Sequence, residues 1–358
     1  MEMYTYDYLF RFTSEVFKKM GCNASDAATI AEVFLAAEIR DIPSHGMIRL
    51  KDYHQLWQKG RIKTDPDIRV VHETPSTAVI DGDMAVGMVP AKRSMELAIS
   101  KALQTGTGWV ATRNSNHFGI AGYYSMMALK HDMIGICLTN ANPLVAPTFS
   151  VSPMMGTNPI AVAIPADKQP PLVADFATTP IARGKLAVAE KKGEKVALGF
   201  VQDSKGFPSD DPAILKSGGS MLTLGGDRLH GSHKGYCLSA LVDIFSAVLS
   251  GANFGPFVPP SVAYLPLLDE KVGEGTGHFF GAMRVDAFRE ASEFKAAMDK
   301  WITTFRSAKP AEGQDRVLIP GDIERDAEKR NMSHGIKLVP AVRDDLRNIA
   351  ESIGVEFE

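Results

Sequence analysis

The stretch WVATRNSNHFGIAGYYSMMALK, residues 109–130, decides what kind of fold this chain can have. WVATR is a short β-branched and aromatic run that reads as a strand, and AGYYSMMALK has helical texture. Between them lies Asn114-Ser115-Asn116-His117-Phe118-Gly119, a polar turn at a strand-to-helix junction, where α/β enzymes place their sites. Yet no G-x-G-x-x-G follows this strand or any other, so the standard Rossmann fingerprint is absent. There is no G-x-x-x-x-G-K-[ST] phosphate loop either, and GSHKG at 231–235 is one position out of step for a G-x-S-x-G elbow.

Outward from that junction, strand-like and helix-like runs alternate. TAVI (77–80) leads through a DGD turn to a helix at AKRSMELAISKAL; IGICLT (134–139), IAVAIP (160–165) and LVADF (172–176) are further strands. LVADF feeds a helix at ARGKLAVAEKKG. Several strands follow one another with no helix between, so the sheet is expected to be mixed. Residues 199–233, rich in Gly, Ser and Asp, read as a long functional loop or lid. The flanks are helical. Leu9, Phe12, Val16 and Met20 recur at helical spacing before Gly21, Ser25 is placed to cap a second helix, and Ser44 a third that closes at Gly60. Helical texture returns at EASEFKAAMDKWITTF and AVRDDLRNIAESI. The expected fold is α/β and non-Rossmann: a large mixed central sheet with flanking helices, plus a helical unit made from both chain ends. Residues 1–75 form its N-terminal part, packing with 287–358, around a dinucleotide-binding sheet domain at 76–286.

Composition narrows the function. With 39 Lys+Arg against 42 Asp+Glu the net charge is −3, and basic residues are scattered, so neither nucleic acid nor an anionic membrane is an expected partner. Cys22, Cys137 and Cys237 are far apart and form no CxxC, which reads as free thiols in a reducing compartment. The start MEMYTYDYLF lacks the basic and apolar regions of a signal peptide, and Leu238–Leu249, interrupted by Asp243, reads as a buried helix. A cytoplasmic location is expected. His230 and His233 have no third ligand nearby, so no metal site is expected.

The polar clusters carry the chemistry. Besides 114–119 they are Ser44-His45-Gly46 with Arg49 and Tyr53; Thr139-Asn140-Ala141-Asn142-Pro143 with Gly156-Thr157-Asn158-Pro159; Asp175-Phe176-Ala177-Thr178-Thr179; and His233-Lys234-Gly235-Tyr236. Singly, each reads as a turn or a cap. Together they occupy the junctions at which ligands bind. On one continuous helix His45, Arg49 and Tyr53 would share a face. Arg49 offers a fork that fits a carboxylate, His45 can deliver or remove a proton one turn away, and Tyr53 would close one wall. Helix starts at His117–Ala121 and Lys234–Tyr236 are natural phosphate seats, and Asp175, ending a strand, is placed to accept bonds from ribose hydroxyls. These roles describe a 2-oxo acid and a dinucleotide meeting in one cleft.

SHGMIR, RNSNHFG with AGYY, GTNPIAVAIP, DFATT followed by ARGK, GSHKGY and RVLIPGDIE occur in an order that resembles the malate/L-lactate dehydrogenase family, a group unrelated to the usual Rossmann enzymes. The resemblance spans roughly residues 4–340. It implies a homodimer and a nicotinamide cofactor; the Asp175 carboxylate, which would repel a 2′-phosphate at the adenosine ribose, makes NAD the expected form with NADP as the alternative. By the same resemblance His45 is the acid/base with Ser44 its hydrogen-bonding neighbour, and His117 is a second catalytic histidine. Arg49, Asn140 and Thr157 are substrate contacts beside Tyr53. His117, Phe118, Gly119, Ile120 and Ala121, then Asp175, Phe176 and Ala177, Arg183 and Gly184, and His233 and Lys234 are cofactor contacts. Malate/oxaloacetate is the first substrate expected, with another 2-hydroxy acid or a diketogulonate-like sugar acid as alternatives. Lys185 stands where the cyclic-imine reductases of the group carry an aspartate, which counts against that activity. A catalytically silent nucleotide- or anion-binding protein would show damage at His45, Arg49 or His117, and all three are intact.

Overall fold

A computed structural model describes residues 2–358. Helix α1 (Tyr6–Lys19) is capped by Thr5, which accepts the Tyr8 N–H, and buries Leu9, Phe12 and Val16. Helix α2 (Ala24–Ile39) is capped by Asn23, not Ser25: Asn23 Oδ1 accepts the Asp26 N–H at 2.9 Å, leaving Ser25 in the first turn. The third helix also differs from expectation. Pro43–His45 and Met47–Arg49 are two short 3₁₀ turns, and α3 runs only from Leu50 to Gln58. Gly46 breaks the chain between the turns at φ −93° and ψ −143°, because the Met47 N–H is drawn to Glu38 of α2 and not to a helical carbonyl. Ser44 therefore caps nothing.

The sheet has seven strands: β1 (Arg69–Glu73), β2 (Thr77–Asp81), β3 (Thr107–Ser115), β4 (Met133–Thr139), β5 (Ile160–Ile164), β6 (Leu172–Phe176) and β7 (Thr276–Arg284). In space they run β1-β2-β3-β7-β4-β5-β6. Only β2 and β3 are parallel, joined by α4 (Met88–Thr105); every other neighbouring pair is antiparallel. The sheet is mixed, as the sequence implies, but its middle strand β7 escapes the reading. Gly277 and Gly281 break the alternation there, and Gly281 is needed because a Cβ would overlap the Trp109 ring. Residue 75 is not a boundary, since β1 pairs with β2 across it.

The chain ends meet. Met3–Tyr4 pairs with Ile336–Lys337, and the Phe357 ring packs among Tyr4, Tyr8 and Phe12. Helix α9 (Asp322–His334) lies against α2, and α10 (Pro340–Ile353) against α3. Helix α8 (Ala291–Arg306) does not join them. Its Lys295 pairs with Asp132, and its Asp299 accepts the N–H groups of Asp167, Lys168 and Gln169, which fixes it to the sheet's periphery. One hydrophobic cluster runs from α1 and α2 through α4 into the sheet, so helices and sheet share a core.

Residues 199–233 are not a bare lid. Val201–Gln202, Pro208–Ser209 and Ser220–Met221 form a three-stranded sheet, and Val201 and Met221 pack with Val145 and Leu186 in a small core of their own. Helix α6 (Arg183–Lys192) leads into this unit, and α7 (Ser232–Asp243) follows it, continuing as a π turn over Ile244–Val248. The Leu238–Leu249 segment is not buried: Leu241, Ile244, Phe245, Val248 and Leu249 are each more than 40% exposed. Among the described residues no helix is long and apolar enough to cross a membrane.

The close approach of α4 to β3 is a testable requirement of this packing. A Cβ at Gly108 would overlap the Ala98 carbonyl oxygen. Gly108→Ala should cost about 1–3 kcal/mol through forced backbone shifts, read as a lower urea midpoint; an unchanged midpoint would mean the approach is slack.

Candidate active site

The two 3₁₀ turns place His45 and Arg49 where one helix would not. Ser44 Oγ lies 3.0 Å from His45 Nδ1, and the His45 ring stacks on His117 at 5.3 Å between centroids. Tyr53, from α3, reaches the same point: its hydroxyl is 2.6 Å from His117 Nδ1 and 2.8 Å from the His117 carbonyl oxygen. Tyr53 is 1% exposed, so it does not form a wall facing ligand. It holds His117 from behind. A hydroxyl has one proton, and the Gly119 N–H also points at Nδ1, at 3.4 Å. That proton can go to Nδ1 or to the carbonyl oxygen, and the Gly119 N–H is a further donor for Nδ1; with Nδ1 accepting, Nε2 carries the ring proton.

Arg49 is held on two sides. Nη1 pairs with Asp52 at 2.8 Å, and Nη2 donates to the carbonyl oxygen and the hydroxyl of Ser261 at 3.3 and 3.2 Å. Its Nε is buried with no acceptor. A donor in that position fits an incoming carboxylate, which would take Nε–H and, in place of one Ser261 contact, an Nη2–H as a two-pronged acceptor.

These groups set one another's charge. Burial lowers His45 to about 4, with the Arg49 charge adding to it, so the imidazole is neutral at pH 7. His117 is pushed well below its usual value by burial, then by Arg49 and His45. Burial raises the Tyr53 phenol, which stays protonated. Burial also raises Asp52, against the pull of Arg49 and Arg183.

At the 114–119 junction, Phe118 is buried and stacked between His278 and Tyr124, and Ile120 and Ala121 are in the core. Of Phe118, Ile120 and Ala121, only the backbone can meet a ligand. The expected phosphate seat at the start of α5 (Ala121–Met127) is already partly taken: the Gly122 N–H donates to Asp175 Oδ2 at 2.8 Å. Glycine is required there, since a Cβ would lie 2.7 Å from that oxygen. Asp175 stays open to water on one side while protein crowds the other, and the loss of water raises it to about 6. Its exposure tempers that push. Oδ1 has no protein partner and is free to accept from a ribose hydroxyl. Next to it Phe176 is 41% exposed and Ala177 half-buried.

Thr157 ties two clusters together, its carbonyl accepting from the Thr178 N–H at 2.9 Å and the Thr178 hydroxyl at 3.1 Å. The start of α6 adjoins the catalytic pair: a Cβ at Gly184 would touch that of Ser44 at 3.4 Å, and Arg183 donates to the Tyr264 hydroxyl at 2.9 Å. His233 Nδ1 is 2.8 Å from Arg228 Nη1, and Lys234 is exposed in the first turn of α7.

Asn140 does not face substrate. It is 2% exposed; Nδ2 donates to Asp243 and the Asn253 carbonyl, and Oδ1 accepts the Gly277 N–H. Every polar atom of its amide is committed to the scaffold. Conversely, Glu38, Asp52, Ser261, Tyr264 and His278 reach the site unannounced. Asp52 alone carried a signal, three residues after Arg49, where opposite charges meet on a helix. Among the described residues no group of three His, Cys, Asp or Glu is arranged to hold a metal.

With this geometry in place, comparison with known proteins is decisive. The profile of the family described as malate/L-lactate dehydrogenase matches residues 4–347. The chain belongs to that family. It is 40% identical over 351 residues to a malate dehydrogenase of Pyrococcus abyssi, covering 98% of this chain and 94% of that one. An L-sulfolactate dehydrogenase of Methanocaldococcus jannaschii is 39% identical, covering 96% and 95%. The solved malate dehydrogenase of Pyrococcus horikoshii superposes with a TM-score of 0.90 at 37% identity, over 100% of this chain and 97% of that one.

Asn140→Ala checks the structural reading of this residue. It would strand the Gly277 N–H, and should cost about 1–3 kcal/mol of stability while KM values of the folded enzyme stay unchanged. A selective rise in the organic acid's KM would instead make Asn140 a substrate ligand.

Proposed function

We propose that this chain transfers a hydride between a nicotinamide dinucleotide and C2 of a small 2-hydroxy or 2-oxo acid, with malate/oxaloacetate as the substrate pair. The observation that carries the reading is the buried, unpartnered Nε of Arg49 beside His45. A carboxylate on that edge sets the adjacent C2 oxygen towards the imidazoles. The names of the relatives, malate and sulfolactate dehydrogenases, agree with an acid substrate.

The polar groups suit a dinucleotide: Asp175 Oδ1 to accept from ribose, Arg183 and Lys234 to donate to phosphate, and the backbone of Phe118–Ala121 for the nicotinamide end. When bound, the cofactor supplies or accepts the hydride. His45 handles the proton. Neutral in the free enzyme, it is ready to take a proton from a C2 hydroxyl; Ser44 Oγ at Nδ1 fixes which ring nitrogen faces the cleft. A carboxylate on Arg49 offsets part of the charge that depresses His45, so substrate binding itself lifts the imidazole's affinity for a proton. His117, donating through Nε2–H, stabilises negative charge growing on the same oxygen. Asp175 favours NAD, because a carboxylate at the adenosine ribose accepts from its hydroxyls and repels a 2′-phosphate.

A panel of 2-oxo acids with NADH and NADPH, following loss of reduced-cofactor absorbance, tests the proposal; oxaloacetate with NADH should lead. His45→Ala should lower turnover by roughly a hundred- to ten-thousand-fold with the fold retained. Arg49→Lys keeps the charge but loses the fork, so kcat/KM for the acid should fall about ten- to a hundred-fold while cofactor affinity holds. Equal losses for acid and cofactor would remove Arg49 from the carboxylate.

The apolar face of α7 and its π turn, with Leu241, Ile244, Val248 and Leu249 exposed, supports a homodimer joined through that face. Leu241→Glu with Val248→Glu should then yield a monomer by sedimentation velocity; a dimer that survives both changes uses another surface.

A further inference from the structure

Glu38 is a carboxyl buried without a counter-ion. It sits in the last turn of α2, 6% exposed, and Oε1 accepts the Met47 N–H at 2.6 Å. That amide begins the second 3₁₀ turn, between His45 and Arg49. The chain is shaped around this contact: a Cβ at Gly46 would overlap Oε1 and the carbons behind it, so only glycine lets the turn close onto the carboxyl. Met47 is then pinned from the other side, its sulfur 3.5 Å from the Thr13 hydroxyl of α1.

The end of α2 is itself immobilised. Asn331 of α9 donates to the Ile39 carbonyl at 3.0 Å and to Asp41 at 2.7 Å, and Arg330 pairs with Asp41. Arg40 is committed to Glu328 of α9 at 2.8 Å. Further along α2, Asp26 faces Arg93 and Glu32 faces Lys92, both of α4. Among the described residues no cation acts on Glu38; the charged neighbour that does is Asp41.

We propose that Glu38 is a positioning residue for the reaction: by holding the Met47 amide it aims His45 and Arg49 at the substrate. This rests on the roles given to those two residues above. A buried carboxyl with no cation is a poor choice for stability, since an apolar residue would fill the space without desolvating a charge. It is a good choice for fixing a backbone N–H, because an ionised acceptor forms a shorter and stronger bond than a neutral one. Burial, reinforced by Asp41, holds the carboxyl up at about 7. The sign follows. Above that pH the carboxylate grips the amide most tightly; as pH falls through it, protonation weakens the grip and the turn loosens. Global stability moves oppositely, falling as pH rises from about 4.5 towards 7, because the folded state keeps the proton longer than the unfolded chain.

The test has two independent readouts. In the deuterated protein the Met47 amide proton, followed by NMR, should lie far downfield and titrate near neutrality, and Glu38→Gln should abolish that titration. In steady-state assays with whichever 2-oxo acid the wild type reduces, kcat/KM should fall on the acid side of neutrality. Glu38→Gln should flatten that limb and hold kcat/KM at the lowered acid-side level at every pH, since its neutral carbonyl accepts no more strongly than the protonated carboxyl. Glu38→Ala should lower kcat roughly ten- to a hundred-fold, as misaligned catalytic groups do, with NADH affinity unchanged. A Met47 amide that ignores pH in the wild type, or full turnover by folded Glu38→Ala, overturns the proposal. A titrating amide in a protein that reduces no 2-oxo acid would instead sink the functional reading and, with it, any catalytic purpose for the contact.

Discussion

A guanidinium fixed beside two imidazoles is the constraint around which this site is arranged. Burial acts first on the groups around Arg49, and its permanent charge adds to that push. His45 and His117 are held neutral, Asp52 balances one edge of the fork, and Ser261 lends two oxygens to another. The remaining edge has nothing to satisfy it within the protein. Such an arrangement is costly to bury until an anion arrives. A buried donor left unpaired beside two neutral imidazoles is thus the feature that sets this pocket of side chains apart from an ordinary satisfied ion-pair cluster.

The sheet explains how the neighbours come together. An antiparallel middle strand brings the ends of β3 and β4 alongside β7, where His278 bonds to Ser115 and Thr139 at 2.7 Å and supports Phe118 from below. The turn bearing His117 is thus braced by three strands and by Tyr53. A Rossmann enzyme would leave the start of α5 open for pyrophosphate; here Asp175 closes on Gly122 instead. The same two elements that make a phosphate cradle in one architecture make a carboxylate bracket in this one, and the chain carries no glycine fingerprint because it has no use for one.

Much of this was legible in the residues. The α/β texture and the mixed sheet follow from strand-like and helical runs, while the pairing of His117 with His45 and Arg49 comes from the resemblance of the motifs to the family and not from the junctions themselves. What was not legible has physical reasons. Strand β7 hid behind glycines that exist to clear Trp109 and the Ser246 backbone. The supposed single helix from Ser44 to Gly60 was divided by a bond from Glu38, a tertiary contact that no local pattern encodes. Asn140 looked like a ligand group because its amide is as useful to a scaffold as to a substrate. The Leu238–Leu249 run looked buried because apolar composition does not say which of its faces another element of the fold covers.

The joining of the chain ends has a consequence for biosynthesis. Arg40, beside the catalytic turn, finds Glu328 only 288 residues later, and the strand at Met3–Tyr4 waits for Ile336–Lys337. Closing so long a loop adds little to the entropic cost beyond that of a shorter one, but contacts distant in sequence form late. On the ribosome, α1 and α2 emerge first and have no α9 to fix their ends. The turns that carry His45 and Arg49 therefore lack the brace that α9 gives the end of α2 until residues 322–334 have emerged, so the neighbourhood of these side chains is shaped by a segment made nearly three hundred residues after them.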